Sequence, residues 1–399
     1  MSKKISLGTT IVLMLLAVIL TFQITYLAVN NKYSQRMNEL TAENNAYEKL
    51  SAVDAAFRSL YIGEIDEKQV TDGIIAGYIA GTGDKYATYM NTEAYEEFMS
   101  SQRGEGQGIG VLVIQNDEYN VIEVISVMPN SGALEAGIEP GDLIIGIDGQ
   151  DAAQLGYYNS VAAVKGEIGT TVKLTVLRGN ETLEFEVLRG TVETITVMSH
   201  MVEGSADVGY IKILQFTSVT PEQFKAAIAE LQGLGATKFV FDVRYNPGGE
   251  LNSITTILDY LLPEGPIIRV VDGEGNEEVT YSDAASFDAP IAVLVNGSTA
   301  SAAELFSCAL KDYNKATLVG TTTYGKGTMQ TVIPLSDNSA FSVSYRMYNP
   351  PYSDNYEGIG ITPDIEVELD EALVNKNIYK ITDAEDNQLQ AALAALASK

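Results

Sequence analysis

Residues 291–330 read IAVLVNGSTASAAELFSCALKDYNKATLVGTTTYGKGTMQ. Ile291 to Val295 is a short apolar run followed by a turn cluster, so the chain leaves a buried strand at this point. From Ser301 onward the apolar residues recur at helical spacing, and Glu304 stands three residues after Ser301 as in a capping box. Ser301 is therefore predicted at a helix N-terminus, where free amides and the helix dipole favour an oxyanion. The plainer alternative is that Ser301 only caps the helix.

Lys326 follows a second predicted strand, Ala316 to Gly320, and stands between Gly325 and Gly327. Glycines let the backbone pack close to the amine, and a lysine sealed in this way loses hydration. Its pKa then falls, and the neutral amine becomes usable as a general base. The alternative is an ordinary solvated lysine in a loop.

A phosphate loop is a rival interpretation, because Gly320-x-x-x-x-Gly325-Lys326 matches most of the Walker A pattern. Two features disfavour it. Gly327 stands where Ser or Thr would bind magnesium, and the β-branched segment that follows contains Pro334 and does not predict the required helix. Nucleotide binding is therefore the weaker hypothesis for this stretch.

The histidine count also favours a lysine base. His200 is the only histidine of the chain, so a Ser-His-acid triad would have to use it. It lies between predicted strands without a nearby motif. We predict His200 to be a surface or strand-end residue.

Composition restricts the class of protein. The chain has 399 residues, 46% of them hydrophobic, which indicates a folded protein of two or three domains. A formal net charge of −28 argues against nucleic-acid binding, which requires a basic face. Cys308 is the only cysteine, so no intrachain disulfide is possible and a core position is expected. No Cys/His spacing typical of a metal site is present, and we expect no cofactor.

The N-terminal segment predicts a membrane helix over residues 1–30. Ile5 to Val29 carries no charge and is long enough to span a bilayer. A cleaved signal peptide is the alternative, but the apolar part is long and no clear cleavage site follows it. The segment predicts a single-pass protein of the cell membrane, and its short head and large tail favour a large C-terminal part outside the cytoplasm.

The remaining chain predicts an α+β multidomain protein. Residues 31–103 are expected to be mostly helical. Residues 104–192 alternate apolar and polar side chains in short strands broken by glycine turns, which is typical of a β-domain. Residues 193–375 return to an α/β pattern, in which KFVFDVR predicts a buried strand that ends at Asn246-Pro-Gly-Gly249, and residues 376–399 predict a terminal helix.

Three motifs, NGSTASAAE, TTTYGKGTMQ and FDVRYNPGG, resemble those of the carboxy-terminal processing peptidases, also called tail-specific proteases. The resemblance implies a ClpP/crotonase-like α/β catalytic core. It further implies that Ser301 is the nucleophile, Lys326 its general base and Gln330 the residue that orients the lysine. An amide of Gly248 or Gly249 would join that of Ala302 in the oxyanion hole.

Residues 136–149, AGIEPGDLIIGIDG, resemble a PDZ domain. In that fold the loop Gly108-Ile109-Gly110-Val111 would offer amides to a terminal carboxylate, and a groove would add the peptide as an extra strand. The expected partners are protein substrates with free C-termini. A β-domain that only packs on its neighbour is the alternative.

The resemblance thus predicts a membrane-anchored serine endopeptidase whose PDZ domain captures protein C-termini. The helical region 31–103 would be either a spacer or a homodimer interface, as helical arms of this family can form one. A non-catalytic PDZ scaffold is the second hypothesis, and the presence of Ser301, Lys326 and Gln330 together argues against it.

Overall fold

The computed structural model describes residues 14, 20, 21, 23, 25–27, 29 and 45–397. Apart from those eight isolated positions, the predicted anchor at 1–30 lies outside the described residues. Among the residues that are described, no helix is both long and apolar enough to cross a membrane. The chain divides into two compact units, Met1–Thr71 and Asp72–Lys399.

Helices make up most of the described part of 31–103. Residues 45–60 are helical, and the helices Glu67–Gly81 and Thr92–Gln102 follow, separated by the short strand Thr88–Met90. The second of these helices begins after Asn91, whose side chain accepts a hydrogen bond from the amide of Ala94 at 2.9 Å. Asparagine is a favoured residue at this position because it satisfies a free amide of the first turn.

The β-domain forms where alternating strands are predicted. Its antiparallel sheet packs apolar side chains, among them Val124, Ile144 and Leu174, into a separate core. A two-stranded ribbon joins Glu105–Gly108 to Gly190–Glu193. The sheet strands are Val111–Asn116, Val121–Val127, Leu143–Ile147, Gln150–Asp151, Thr171–Arg178 and Glu181–Leu188, and the helices are Gly132–Ala136, Ala152–Leu155 and Tyr157–Val164.

The largest core surrounds a six-stranded sheet with Ile291–Val295 near its centre. All five residues of that strand are buried, as expected for a parallel strand covered on both faces. The strand order is Val197–Met201, Val208–Ile213, Lys238–Asp242, Ile291–Val295, Ala316–Gly320 and Ile365–Glu366, and only the first pair is antiparallel. The helices around it are Thr220–Gly233, Leu251–Leu261, Ala302–Asp312 and Asn387–Ala397. A short 3-10 helix, Ile378–Lys380, precedes the last of them.

This topology brings the three sequence motifs together. Lys238–Asp242, Ile291–Val295 and Ala316–Gly320 are adjacent and parallel, so their carboxyl ends meet at one edge of the sheet. Each motif loop leaves from one of those ends. Ligands of open parallel sheets bind outside the carboxyl ends of the strands. The α+β multidomain prediction is confirmed for the described residues.

A second sheet lies beside the lysine motif. Its strands are Thr88–Met90, Gly265–Asp272, Glu277–Ser282, Thr328–Pro334 and Ala340–Asn349. Thr328–Pro334 begins two residues after Lys326, where a phosphate loop requires a helix. The nucleotide-binding alternative therefore lacks its main structural element.

A buried ion cluster fixes the chain just before the glycine turn. The guanidinium of Arg244 donates to the carboxylates of Asp242 and Asp386, each at 2.7 Å, and all three residues are buried. Asp386 directly precedes the C-terminal helix Asn387–Ala397. The cluster thus joins that helix to the end of the strand Lys238–Asp242, next to Asn246-Pro-Gly-Gly249.

Candidate active site

Ser301 occupies the turn between the strand Ile291–Val295 and the helix Ala302–Asp312. Its backbone has φ 56° and ψ −120°, which is rare for a residue other than glycine. Such backbone strain concentrates at functional sites. Ser301 lines a cavity of about 610 Å³, which we call the catalytic cavity, together with Lys326, Gln330 and Tyr348. The structure thus places the three residues predicted as catalytic around one space.

Glu304 holds the serine turn and the lysine loop together. Its carboxylate is fully buried and accepts hydrogen bonds from the amides of Ser301 and Lys326, each at 2.8 Å. It also accepts from the Thr323 hydroxyl and the Gly325 amide, each at 2.6 Å. A buried carboxylate is stable only when such donors surround it. One side chain therefore sets the relative position of the two backbone segments that carry Ser301 and Lys326.

The amine of Lys326 lies in a largely closed environment. Its Nζ donates to Oε1 of Gln330 at 2.6 Å and lies 4.8 Å from the centre of the Tyr86 ring. Burial lowers the pKa of Lys326, while the nearby carboxylates of Glu357, Asp84 and Glu304 act in the opposite direction. The direction is the one that a neutral general base requires.

The side chain of Gln330 has a fixed orientation. Its Nε2 donates to the backbone carbonyl of Tyr86, so its Oε1 is the atom that faces the lysine. Tyr86 is itself held through its hydroxyl, which bonds to Glu357 at 3.0 Å. The segment around Tyr86 thus forms one wall of the lysine site.

The Ser301 hydroxyl contacts Tyr348. The two hydroxyl oxygens lie 3.0 Å apart, and the Tyr348 hydroxyl also donates to the Lys326 carbonyl at 2.8 Å. The Tyr348 hydroxyl thus has two acceptors within reach of its one proton, Oγ of Ser301 and the carbonyl of Lys326. Burial raises the pKa of Tyr348, so its hydroxyl stays protonated. Within residues 45–397, no hydrogen bond joins the Ser301 hydroxyl to the Lys326 amine.

The glycine turn packs directly on the serine turn. Gly248 has φ 101°, and a Cβ at this position would lie 2.7 Å from Cβ of Ser301, so only glycine fits. The Gly248 amide already donates to Oδ1 of Asn246 at 2.8 Å. Of the predicted oxyanion donors, the amides of Gly249 and Ala302 are the ones without a hydrogen bond to another described residue.

His200 lies away from this cavity. Its side chain is 48% exposed, sits on the strand Val197–Met201 and bonds to Asp383 at 3.0 Å. It is not among the residues that line the catalytic cavity.

A second cavity, of about 730 Å³, is lined on one side by the β-domain, including the strand Val111–Asn116 and the helix Tyr157–Val164, and on the other by the helix Thr92–Gln102 with Gln215 and Thr217. We call it the groove. The predicted loop Gly108–Val111 lines it, with Val161 and Val164 on the opposite side. The Ile109 carbonyl accepts from the Ala133 amide at 2.9 Å. Because a trans peptide is planar, the Gly110 amide points the opposite way from that carbonyl. The arrangement leaves this amide available to a carboxylate in the groove.

Sequence reasoning missed two residues of the site, Tyr86 and Tyr348. Both are single tyrosines far from the motifs in the chain, and only the second sheet brings them to the lysine. For metal binding, the described part of the chain contains no cluster of three or more His, Cys, Asp or Glu residues able to hold an ion.

Comparison with known proteins gives a consistent family. The family model "Peptidase family S41" matches residues 207–367, and that of the PDZ domain matches residues 107–188. A carboxy-terminal-processing protease of Bartonella bacilliformis is 34% identical over 82% of this chain and 76% of the relative. The carboxy-terminal processing protease CtpA of Bacillus subtilis is 29% identical over 90% of this chain and 76% of the relative.

A solved structure shows the same fold. The crystal structure of an S41 protease from Bacteroides fragilis superposes with a TM-score of 0.55 and 17% identity, covering 87% of this chain and 97% of the other. At 17% identity, this similarity shows the fold alone.

Proposed function

Because the chain belongs to the carboxy-terminal-processing proteases, serine peptidases of family S41 with a PDZ domain, we propose that it is membrane-anchored and cleaves peptide bonds with Ser301 and Lys326. The observation that carries the proposal is that both side chains line one cavity, with the lysine's pKa lowered by burial. Gln330, held by Tyr86, gives the amine one neutral acceptor and adds no charge.

The first step is a change of hydrogen-bond partner at Ser301. The serine hydroxyl turns from Tyr348 towards the neutral Lys326 amine, which takes the proton as Oγ attacks the substrate carbonyl. The bond between Oγ and the carbonyl carbon forms while the carbonyl oxygen takes the negative charge. The Tyr348 hydroxyl keeps its proton and donates it in a hydrogen bond to the Lys326 carbonyl. Tyr348 also fixes the position of Oγ before the attack.

The oxyanion is bound by backbone amides. Those of Gly249 and Ala302 are free to donate, and the strained backbone of Ser301 sets the direction of its side chain relative to them. The Lys326 ammonium then gives its proton to the leaving amine, and the ester left on Ser301 is hydrolysed by water, again with Lys326 as base.

The groove supplies substrate recognition. A protein C-terminus would pair with the edge of the strand Val111–Asn116, its carboxylate on the amides of Gly108–Val111 and its last side chain on the apolar walls. The domain would thereby deliver protein tails to the catalytic cavity.

The apolar segment Ile5 to Val29 is proposed as the anchor, with the catalytic region outside the cytoplasm. A homodimer through the helical region 31–103 is also proposed, since its helix Glu67–Gly81 exposes Val70, Ile74 and Tyr78 at a spacing of four residues.

Substitution of the base tests the dyad. Lys326→Arg keeps the charge but stays protonated, so we expect the rate of peptide cleavage to fall by about 10²–10⁴-fold, as Ser301→Ala should abolish it. His200→Ala is the matched control and should cleave at the parental rate. Near-parental cleavage by Lys326→Arg together with an inactive His200→Ala would overturn the dyad.

The pH profile of the parental enzyme gives the same information without substitution. The rate should rise with pH through the lowered pKa of Lys326, because only the neutral amine accepts a proton. Gln330→Glu places a negative charge beside the amine, raises its pKa and should move the profile to higher pH.

Amidation of a peptide tests the groove. If the amides of Gly108–Val111 bind a terminal carboxylate, amidating the C-terminus of a bound peptide should weaken its affinity by about tenfold or more, because charge-assisted hydrogen bonds are lost. Fluorescence anisotropy with the Ser301→Ala protein measures this without cleavage. Equal affinity for both peptides would reduce the β-domain to a packing module.

Fractionation tests the anchor. We expect the full chain to stay in the membrane pellet after a carbonate wash, and external protease to reach its catalytic region in cells without a wall. A chain that starts beyond Val29 and is released by carbonate would show a cleaved signal peptide instead.

A further inference from the structure

Glu250 is a carboxylate of the catalytic cavity without a partner. It directly follows Gly248 and Gly249 and lines the same cavity as Ser301. It precedes the helix Leu251–Leu261, yet its side chain makes no capping hydrogen bond. Within the described residues, its carboxylate takes part in no hydrogen bond or ion pair. A partly buried carboxylate is normally paired. The Glu250 carboxylate is therefore placed to pair with a group of a bound molecule.

The charge of the cavity depends on this residue. Glu250 is the only Asp or Glu among the lining residues, and Lys326 is the only Lys or Arg. When Lys326 is neutral, as its role as base requires, Glu250 leaves the cavity with one negative charge. The carboxylates that act on the lysine amine are those of Glu357, Asp84 and Glu304, so Glu250 is not its counter-ion.

The walls around Glu250 suit a long side chain with a charged end. Most of the larger side chains that line the cavity are apolar. Methionine, whose side chain adapts its shape to a ligand, is the most frequent of them. These apolar side chains are those of Met90, Phe98, Met99, Leu251, Leu305 and Met329. Lysine and arginine bury an aliphatic stem along such surfaces while the charged group pairs at its end. A divalent cation does not fit, because one carboxylate gives too few oxygen ligands.

We propose that Glu250 is a specificity residue that binds a lysine or arginine side chain of the substrate next to the scissile bond. The position follows from the proposed oxyanion site: if the Gly249 amide binds the substrate carbonyl, Glu250, the next residue in the same cavity, would lie beside the scissile bond. The inference rests on the proposed function, since it concerns the substrate of the same cavity. It specifies which side-chain charge is preferred next to the cleaved bond, and the groove does not determine this preference.

Peptides that differ at one position test the proposal. All carry the same C-terminal tail, and successive positions on either side of the mapped cut hold Lys, Leu or Glu. At one position adjacent to the cut, we expect kcat/KM of the parental protein to be about tenfold higher for Lys than for Leu, and lower for Glu. Glu250→Gln should bring the Lys-to-Leu ratio close to one, and Glu250→Lys should reverse the preference towards Glu. Glu264→Gln, an exposed position outside the cavity, is the matched control and should keep the parental ratio.

The parental protein alone gives a second readout, should the Glu250 variants fail to fold. Burial raises the pKa of Glu250, so the Lys-to-Leu ratio should fall as the pH decreases through a value above that of an ordinary glutamate. The lysine base affects both peptides equally and cancels in the ratio.

The outcomes separate this proposal from the proposed function. Cleavage that needs Ser301 but shows no preference for Lys, or a preference unchanged in Glu250→Gln, would overturn the role of Glu250 and leave the peptidase intact. Absence of Ser301-dependent cleavage of every peptide would overturn both.

Discussion

The site depends on the buried carboxylate of Glu304. Four donors from two separate loops converge on it, among them the amides of Ser301 and Lys326. Because an unsatisfied buried carboxylate is costly, the two loops are stable only in the arrangement that satisfies it. The relative position of the Ser301 and Lys326 segments is therefore a consequence of the helix Ala302–Asp312, which carries Glu304, and not of direct contact between the two side chains. The parallel sheet beneath supplies the common edge from which both loops start.

Around this frame, the Ser301 hydroxyl and the Lys326 amine each have a separate partner. Tyr348 holds the Ser301 hydroxyl, and Gln330 holds the Lys326 amine. The backbone carbonyl of Tyr86 in turn fixes the side-chain amide of Gln330. A segment near residue 86 therefore contributes to a site built mainly from residues 248–348. Burial lowers the pKa of Lys326 in spite of the carboxylates nearby.

Much of this could be predicted from sequence because it depends on local pattern. The helix predicted to begin at Ser301 is observed as Ala302–Asp312, and the apolar run Ile291 to Val295 is a buried central strand. The parallel order of the sheet and its long-range contacts could not be predicted in this way. Tyr348 and Tyr86 have no local signal, since their importance comes from pairing between distant strands. The hydrogen bond from the Gly248 amide to Asn246 likewise depends on turn geometry, which the sequence does not reveal. It distinguishes Gly248 from Gly249 as a candidate oxyanion donor.

An NMR titration of the folded protein measures whether burial lowers the pKa of Lys326. With ¹³C-labelled lysine, the Cε resonance that is missing in Lys326→Met belongs to this residue. We expect this resonance to titrate below the ordinary lysine pKa of 10.5, in the parental protein and in Ser301→Ala alike. A Lys326 resonance that titrates at or above 10.5 would show an ammonium ion throughout the working range, and would exclude Lys326 as the general base.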